Sequence, residues 1–317
     1  MTAQLESSVG KTGLAANRRP DVMQVQQLLN AGLVPTLGPG QVNPAFLALG
    51  LGRIPPFAAL VEDGRPGPGT TAAIVWFQRN VIGASSPDGV VSASGATLRV
   101  LVNPPKQAQA AALVAAATSL PDPGSAAAIS EKDYAAAAAE LGVEVAAVKA
   151  VARVESARSG FIDDGRPIIR FEAHVFSRAT RHFYDPLFPM ISVRQRNDSL
   201  VMGGESGLRR EYDRLASAMA LDRDAALAST SWGLFQLMGF NFAAAGFGSV
   251  SDMVSRMYLD EGEHLAAFAR FVKKKGYAGY LKDKAWGSFA YHYNGPDYGN
   301  YDDRMQTAYE EFSAVEK

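Results

Sequence analysis

Glu144-Val145-Ala146-Ala147-Val148-Lys149-Ala150-Val151-Ala152-Arg153-Val154-Glu155-Ser156 decides how the second half of this chain folds. Val145, Val148, Ala152 and Glu155 recur three or four residues apart, the period of one face of an α-helix. Glu155 therefore falls on or beside an apolar stripe, where poor solvation disfavours the ionised carboxylate. A carboxyl group placed there keeps its proton closer to neutral pH, as a general acid must. The plain alternative is a glutamate at a helix end, tipped into solvent or paired with Arg153 or Arg158.

Two stretches downstream can complete a site around it. In Ser231-Trp232-Gly233-Leu234-Phe235-Gln236, a glycine beside the indole lets backbone approach a ligand closely. Gln236 offers its amide to an acetamido group, and Trp232 offers an apolar face to a sugar ring. Core packing explains Leu234, Phe235 and Leu237 equally well, so the sharper expectation rests on Ser231, Gly233 and Gln236. Trp286, Phe289, Tyr291 and Tyr293 lead into Asn294-Gly295-Pro296, a turn closing an aromatic helix. Tyr293 is expected over Glu155, its phenol orienting the carboxyl group and its ring excluding water, with Asn294 beside it.

Between these, Asp163-Asp164-Gly165 signals a turn and Pro167-Ile168-Ile169-Arg170-Phe171 a short strand or hairpin. Glu172 ends this apolar run and is the candidate second carboxylate; a salt bridge to Arg170 or Arg178 is the equal alternative. His174 would share its face if the strand continued. The four histidines lack the spacing of a metal site, and Glu261-x-x-His264 is expected to be a surface helix pair. No metal or other cofactor is called for.

Composition excludes several classes. The 317 residues are 47% hydrophobic and 20% charged, with a formal net charge of −1, so the chain can bury a core but carries no electrostatic footprint for nucleic acid. Without cysteine there are no disulfides and no thiol nucleophile. No apolar stretch is long enough for a membrane span, and the N-terminus lacks a signal-peptide pattern, so synthesis in the cytoplasm is expected.

Organisation follows from a composition shift. Residues 104–129 are rich in proline and alanine and read as a linker between an N-terminal domain, 1–103, and a larger one, 130–317. Three short helices with glycine-rich turns are expected in the first, beginning near Asp21, Thr70 and Gly95, with a Pro/Gly/Leu-rich insertion at 33–59. In the second, Ser130 and Asp133 form a capping-box pattern ahead of an alanine-rich helix through Glu140. The fold class expected is mostly α: a three-helix module, then a larger helical domain with a short β-hairpin.

The N-terminal pattern resembles the small three-helix peptidoglycan-binding domain, through Val25-Gln26-Gln27-Leu28-Leu29-Asn30, Asp63-Gly64, Thr70-Thr71, Phe77-Gln78, Asp88-Gly89 and Thr97-Leu98. The second domain resembles the N-acetylmuramidase family of phage endolysins, through Ala150 to Ser156, Gly160-Phe161, Asp164-Gly165-Arg166-Pro167, Phe171-Glu172, His174-Val175-Phe176, Ser231 to Asn241 and Tyr293-Asn294-Gly295-Pro296. That resemblance implies a lysozyme-like helical fold for this domain and cleavage of the bond between N-acetylmuramic acid and N-acetylglucosamine, with peptidoglycan as the partner and Glu155 as the acid. A lytic transglycosylase giving anhydro-muramic ends is the enzymatic alternative, and a non-catalytic wall-binding protein the alternative of another class. Two settings fit a protein acting in the periplasm or on the wall. One is an endolysin exported through a holin; the other is an injected effector, of the type VI secretion kind, with an immunity protein.

Overall fold

The computed structural model describes residues 4–37, 60–80, 82–102, 118–155, 159–185, 188–200 and 204–315. Among them are thirteen α-helices and five short strands. The first half holds β1 (Val9–Gly10), α1 (Arg19–Leu37), α2 (Pro68–Asn80), β2 (Val90–Val91), α3 (Ala96–Val102), α4 (Glu131–Leu141) and α5 (Val145–Glu155). There follow β3 (Ile169–Phe171), α6 (Ala173–Ala179), α7 (Gly204–Leu221), α8 (Arg223–Ala228), β4 (Thr230–Trp232) and β5 (Leu237–Met238). The chain ends with α9 (Val250–Met257), α10 (Glu261–Lys275), α11 (Ala278–Lys282), α12 (Trp286–Asn294) and α13 (Tyr301–Val315). The mostly helical class is thus observed, with a two-stranded and a three-stranded antiparallel sheet.

The residues group into two compact units that cut across the linear order. One comprises Met1–Ser119, Ala173–Leu200 and Tyr212–Ala225; the other comprises Leu120–Glu172, Val201–Glu211 and Ala226–Lys317.

The first unit contains a hydrogen-bonded cage that occurs twice. Gln26 Nε2 donates to Asp63 Oδ1, Arg65 O and Thr70 Oγ1, while its Oε1 accepts from Gly64 N. Gln78 repeats this with Asp88 Oδ1, Val90 O and Thr97 Oγ1, its Oε1 accepting from Gly89 N. Each buried helix glutamine thereby pins an Asp-Gly turn whose glycine has φ of +68° or +72°, where a side chain is disfavoured. The start of the following helix is pinned by the same amide. Elsewhere in this unit Trp76 of α2, 2% exposed, donates from Nε1 to Ala220 O at 2.6 Å, and Arg79 pairs with Asp222 at 2.6 Å. Phe176, Tyr184 and Phe188 form a buried aromatic cluster.

The second unit carries the helices that begin at Ser130. The capping box is present: Ser130 accepts from Asp133 N and the Asp133 side chain accepts from Ser130 N. Gly142, at φ +67°, ends α4 in the left-handed conformation, and α5 follows. The helix α4 packs on α10, and α5 on α13. Strand β4 lies between β3 and β5, with Ile169 opposite Trp232 and Trp232 opposite Leu237. The end of the Pro/Ala-rich stretch is docked here, since Gly124 N donates to Tyr258 O, Ala126 N to Leu259 O, and Glu261 N to Ala127 O. Most of that stretch, and most of the 33–59 insertion, lie outside the described residues.

Trp76→Phe keeps the ring volume roughly but strands the buried Ala220 carbonyl. A loss of about 1–3 kcal/mol is expected in denaturant unfolding of the full chain.

Candidate active site

Glu155 occupies the last position of α5, in which Ala147, Ala150, Val154 and, one turn before it on the same face, Val151 are buried. Its side chain is half-buried. Burial raises the carboxyl pKa above the ordinary glutamate value, opposed by a hydrogen bond from Asn294 and by the charge of Arg304. Asn294 Nδ2 donates to Glu155 Oε1 at 3.1 Å. Because Oε1 accepts there, an acid proton belongs on Oε2, which is left for a reacting group. Arg153, one of the two neighbours able to neutralise Glu155, is instead paired with Glu311 and lies 3.9 Å over the Phe312 ring. The other, Arg158, lies outside the described residues.

Tyr293 precedes Asn294, and burial, with a smaller effect of the Glu155 charge, pushes its phenol well above its usual pKa. Its hydroxyl does not orient the carboxyl as expected, because it donates to Phe235 O at 2.9 Å. The orienting bond comes from Asn294. Packed against Phe289 at 5.6 Å and edge-on to Phe268 at 5.2 Å, the Tyr293 ring supplies the apolar wall.

The β4–β5 hairpin departs more from expectation. Trp232 is 1% exposed and donates from Nε1 to Leu227 O at 3.1 Å, so it is a core residue with no face for a sugar. Ser231, 5% exposed, places Oγ 2.9 Å from Gln236 Oε1. Gln236 Nε2 donates to Gly233 O at 2.8 Å and Ile168 O at 3.3 Å, so its amide braces the turn and joins it to the residue before β3. These polar groups serve the hairpin, because a tight turn with Gly233 at φ +69° and Gln236 at φ +47° needs side-chain acceptors and donors to hold it.

Glu172 lies half-buried with Oε1 3.0 Å from Arg170 Nε, the salt bridge that its sequence position allowed. Its backbone N donates to Ser229 O at 2.9 Å. The alternation that would have put His174 on its face is absent, because β3 stops at Phe171 and α6 begins at Ala173.

The expectation of a surface pair at Glu261 and His264 is overturned: they are 8% and 2% exposed. Glu261 accepts from Gly160 N at 2.7 Å and Ser159 Oγ at 3.1 Å. His264 accepts from Leu234 N at Nδ1 (3.1 Å) and donates from Nε2 to Met257 O (2.7 Å), with its ring stacked on Phe161 at 4.9 Å. Burial lowers its pKa, opposed by the Met257 bond and the nearby Glu261 and Asp260, so the ring is neutral with the proton on Nε2. A Cβ on Gly160 or Gly233 would stand 2.8 Å from this ring, which is why both positions are glycine. One turn of α10 thus fixes the return of the chain after Glu155 and the tip of the hairpin. The sequence signal was available: an i, i+3 pair of polar residues in a helix whose neighbours Leu265, Phe268 and Val272 are all apolar.

His264→Ala strips partners from two buried backbone groups and opens a cavity. An unfolding free energy lower by about 3 kcal/mol or more is expected, and a loss under about 1 kcal/mol would contradict the clamp. For Glu155 the sign follows from linkage: folding raises its pKa, so the native state binds the proton more tightly and stability falls as pH rises from the ordinary value of 4.5 through the folded one. Glu155→Gln should therefore be more stable than the parent at pH 7, with the difference in melting temperature closing below pH 4.5.

Comparison with known proteins places this geometry. The crystal structure of the Burkholderia AP3 phage endolysin matches with a TM-score of 0.55 at 29% sequence identity, over 98% of this chain and 99% of that one. No curated protein matches. The N-acetylmuramidase (Muramidase) profile matches residues 144–313, a span that takes in α5, the three-stranded sheet and the Tyr293-Asn294 turn. That span is more than half of the sequence, and the chain belongs to the N-acetylmuramidase family.

Proposed function

We propose that this protein is a peptidoglycan hydrolase of the lysozyme type, in which Glu155 protonates the glycosidic oxygen between N-acetylmuramic acid and N-acetylglucosamine. The observation that carries the reading is the state of the Glu155 carboxyl: raised in pKa by burial, held at Oε1 by Asn294, with Oε2 left to deliver the proton. Membership of the muramidase family supports the substrate class. Bond breaking then passes through an oxocarbenium-like state. Glu172 is the second carboxylate of this proposal, activating water or stabilising the cation, with Arg170 holding its orientation. The likeness to an endolysin over nearly the whole of both chains favours a lytic role in phage release, with residues 1–103 as the wall-binding module.

Mass spectrometry of fragments released from purified peptidoglycan tests this. The parent should release muropeptides with hydrated muramic acid at the reducing end, and Glu155→Gln should lower the rate by about 10²–10⁴-fold. Anhydro-muramic ends would make the protein a transglycosylase, and no release at all would sink the hydrolase reading. Glu172→Gln separates two roles: lost turnover with an unchanged melting temperature supports the chemical role, whereas lowered stability with turnover retained leaves only the salt bridge.

A further inference from the structure

Within the first unit a cleft of about 340 Å³ opens between the N-terminal module and the turn after α6. Its charged groups come from separate segments. Arg79 and Asp222 neutralise each other at 2.6 Å, which leaves Lys11, Arg181 and Asp88. Among the described residues neither Lys11 nor Arg181 has an ion-pair partner, and both are exposed. Asp88 spends Oδ1 on Gln78 Nε2 and Val90 N, and among the described residues its second oxygen has no hydrogen-bond partner. Val75, Pro87 and Phe183 supply apolar wall between these charges.

The turn that carries Arg181 is strained. Arg181 and His182 adopt φ of +54° and +62° in succession. A helix end needs a single left-handed residue, usually glycine, and each non-glycine residue there costs about 1–2 kcal/mol. The turn is held against that cost by His182 N donating to Ser177 O at 2.6 Å and by Ser177 Oγ and His182 Nδ1 at 2.8 Å. Closing the helix does not require a guanidinium at this position, where glycine would be relaxed. Its presence on the rim of the cleft calls for another reason.

We propose that this cleft is a binding site for a short peptide bearing free carboxylates and an amino group: the stem peptide of peptidoglycan, with Arg181 and Lys11 taking the carboxylates and Asp88 the ammonium. The apolar wall and the single carboxylate favour this over a phosphate polymer, which would meet Asp88 as a like charge and offer nothing to Val75 or Phe183. The choice of peptide rests on the peptidoglycan reading above, while the charge pattern of the cleft does not.

Calorimetric titration of the full-length protein with L-Ala-D-Glu-diaminopimelate-D-Ala tests it. The peptide is expected to bind, with affinity reduced about tenfold or more when its carboxylates are amidated. A peptide-free chitooligosaccharide should not compete. Arg181→Gly and Lys11→Ala should each weaken binding about tenfold, and Arg181→Gly should raise the melting temperature as the strain is released. Absence of binding, equal affinity for the amidated peptide, unchanged affinity in both variants, or equal binding of polyphosphate would overturn the proposal. Fragment release from peptidoglycan, measured on the same preparation, keeps the two readings apart. Peptide binding without release would retain the cleft and remove the hydrolase, and release without peptide binding would do the reverse.

Discussion

The neutral imidazole of His264, buried in α10 and bonded at both nitrogens to backbone, is the constraint on which the geometry around Glu155 depends. Through Nδ1 it holds Leu234, and the next residue, Phe235, presents its carbonyl to the Tyr293 hydroxyl. Tyr293 is followed by Asn294, whose amide grips Glu155. From the other side Glu261, one turn earlier, holds Gly160 through its backbone N and Ser159 through its hydroxyl. Two polar residues that do not touch the carboxyl group thus brace the segments on either side of it. Such an arrangement works only in low dielectric, where each of these hydrogen bonds resists exchange with water and an unpaired partner is expensive.

Much of this was legible in the sequence because it follows from periodicity and turn chemistry. Helix α5, its acidic terminus, the capping box at Ser130 and the turn after Asn294 are local features, and local rules found them. The hairpin was found too, but the purposes of its side chains were misread. Trp232 and Gln236 carry groups that suit a sugar, and the same groups suit a buried turn; only the distances to Leu227 O and Gly233 O decide between them. Glu261 and His264 were misplaced for a related reason. Spacing shows that two residues share a helix face, yet which face is covered depends on α4, α9 and the hairpin, all distant in sequence. Arg304, which acts on Glu155 from α13, left no local signal at all.

Desolvation and polar contact act on Glu155 in opposite directions, and the balance is informative. The apolar wall of Tyr293 alone would drive the carboxyl far towards the neutral form, useful for donating a proton but poor at releasing it. Asn294 and Arg304 favour the anion and so ease that release. An amide suits the position better than a carboxylate would, because a second acid beside Glu155 would raise its pKa further and compete for the same proton. A lysine would do the opposite and strip the proton at rest.

The twofold cage in the N-terminal module keeps one side-chain pattern over two different spans of sequence. In the second copy Asp88 lies ten positions after Gln78, whereas in the first Gln26 and Asp63 are far apart in sequence. The ends of the longer excursion are joined by Asn30, which donates to Leu60 O at 3.0 Å and accepts from Leu60 N at 2.7 Å. The cage lies beyond it, from Asp63 to Thr70. A change at Gln26, Gly64, Gln78 or Gly89 breaks a cage outright.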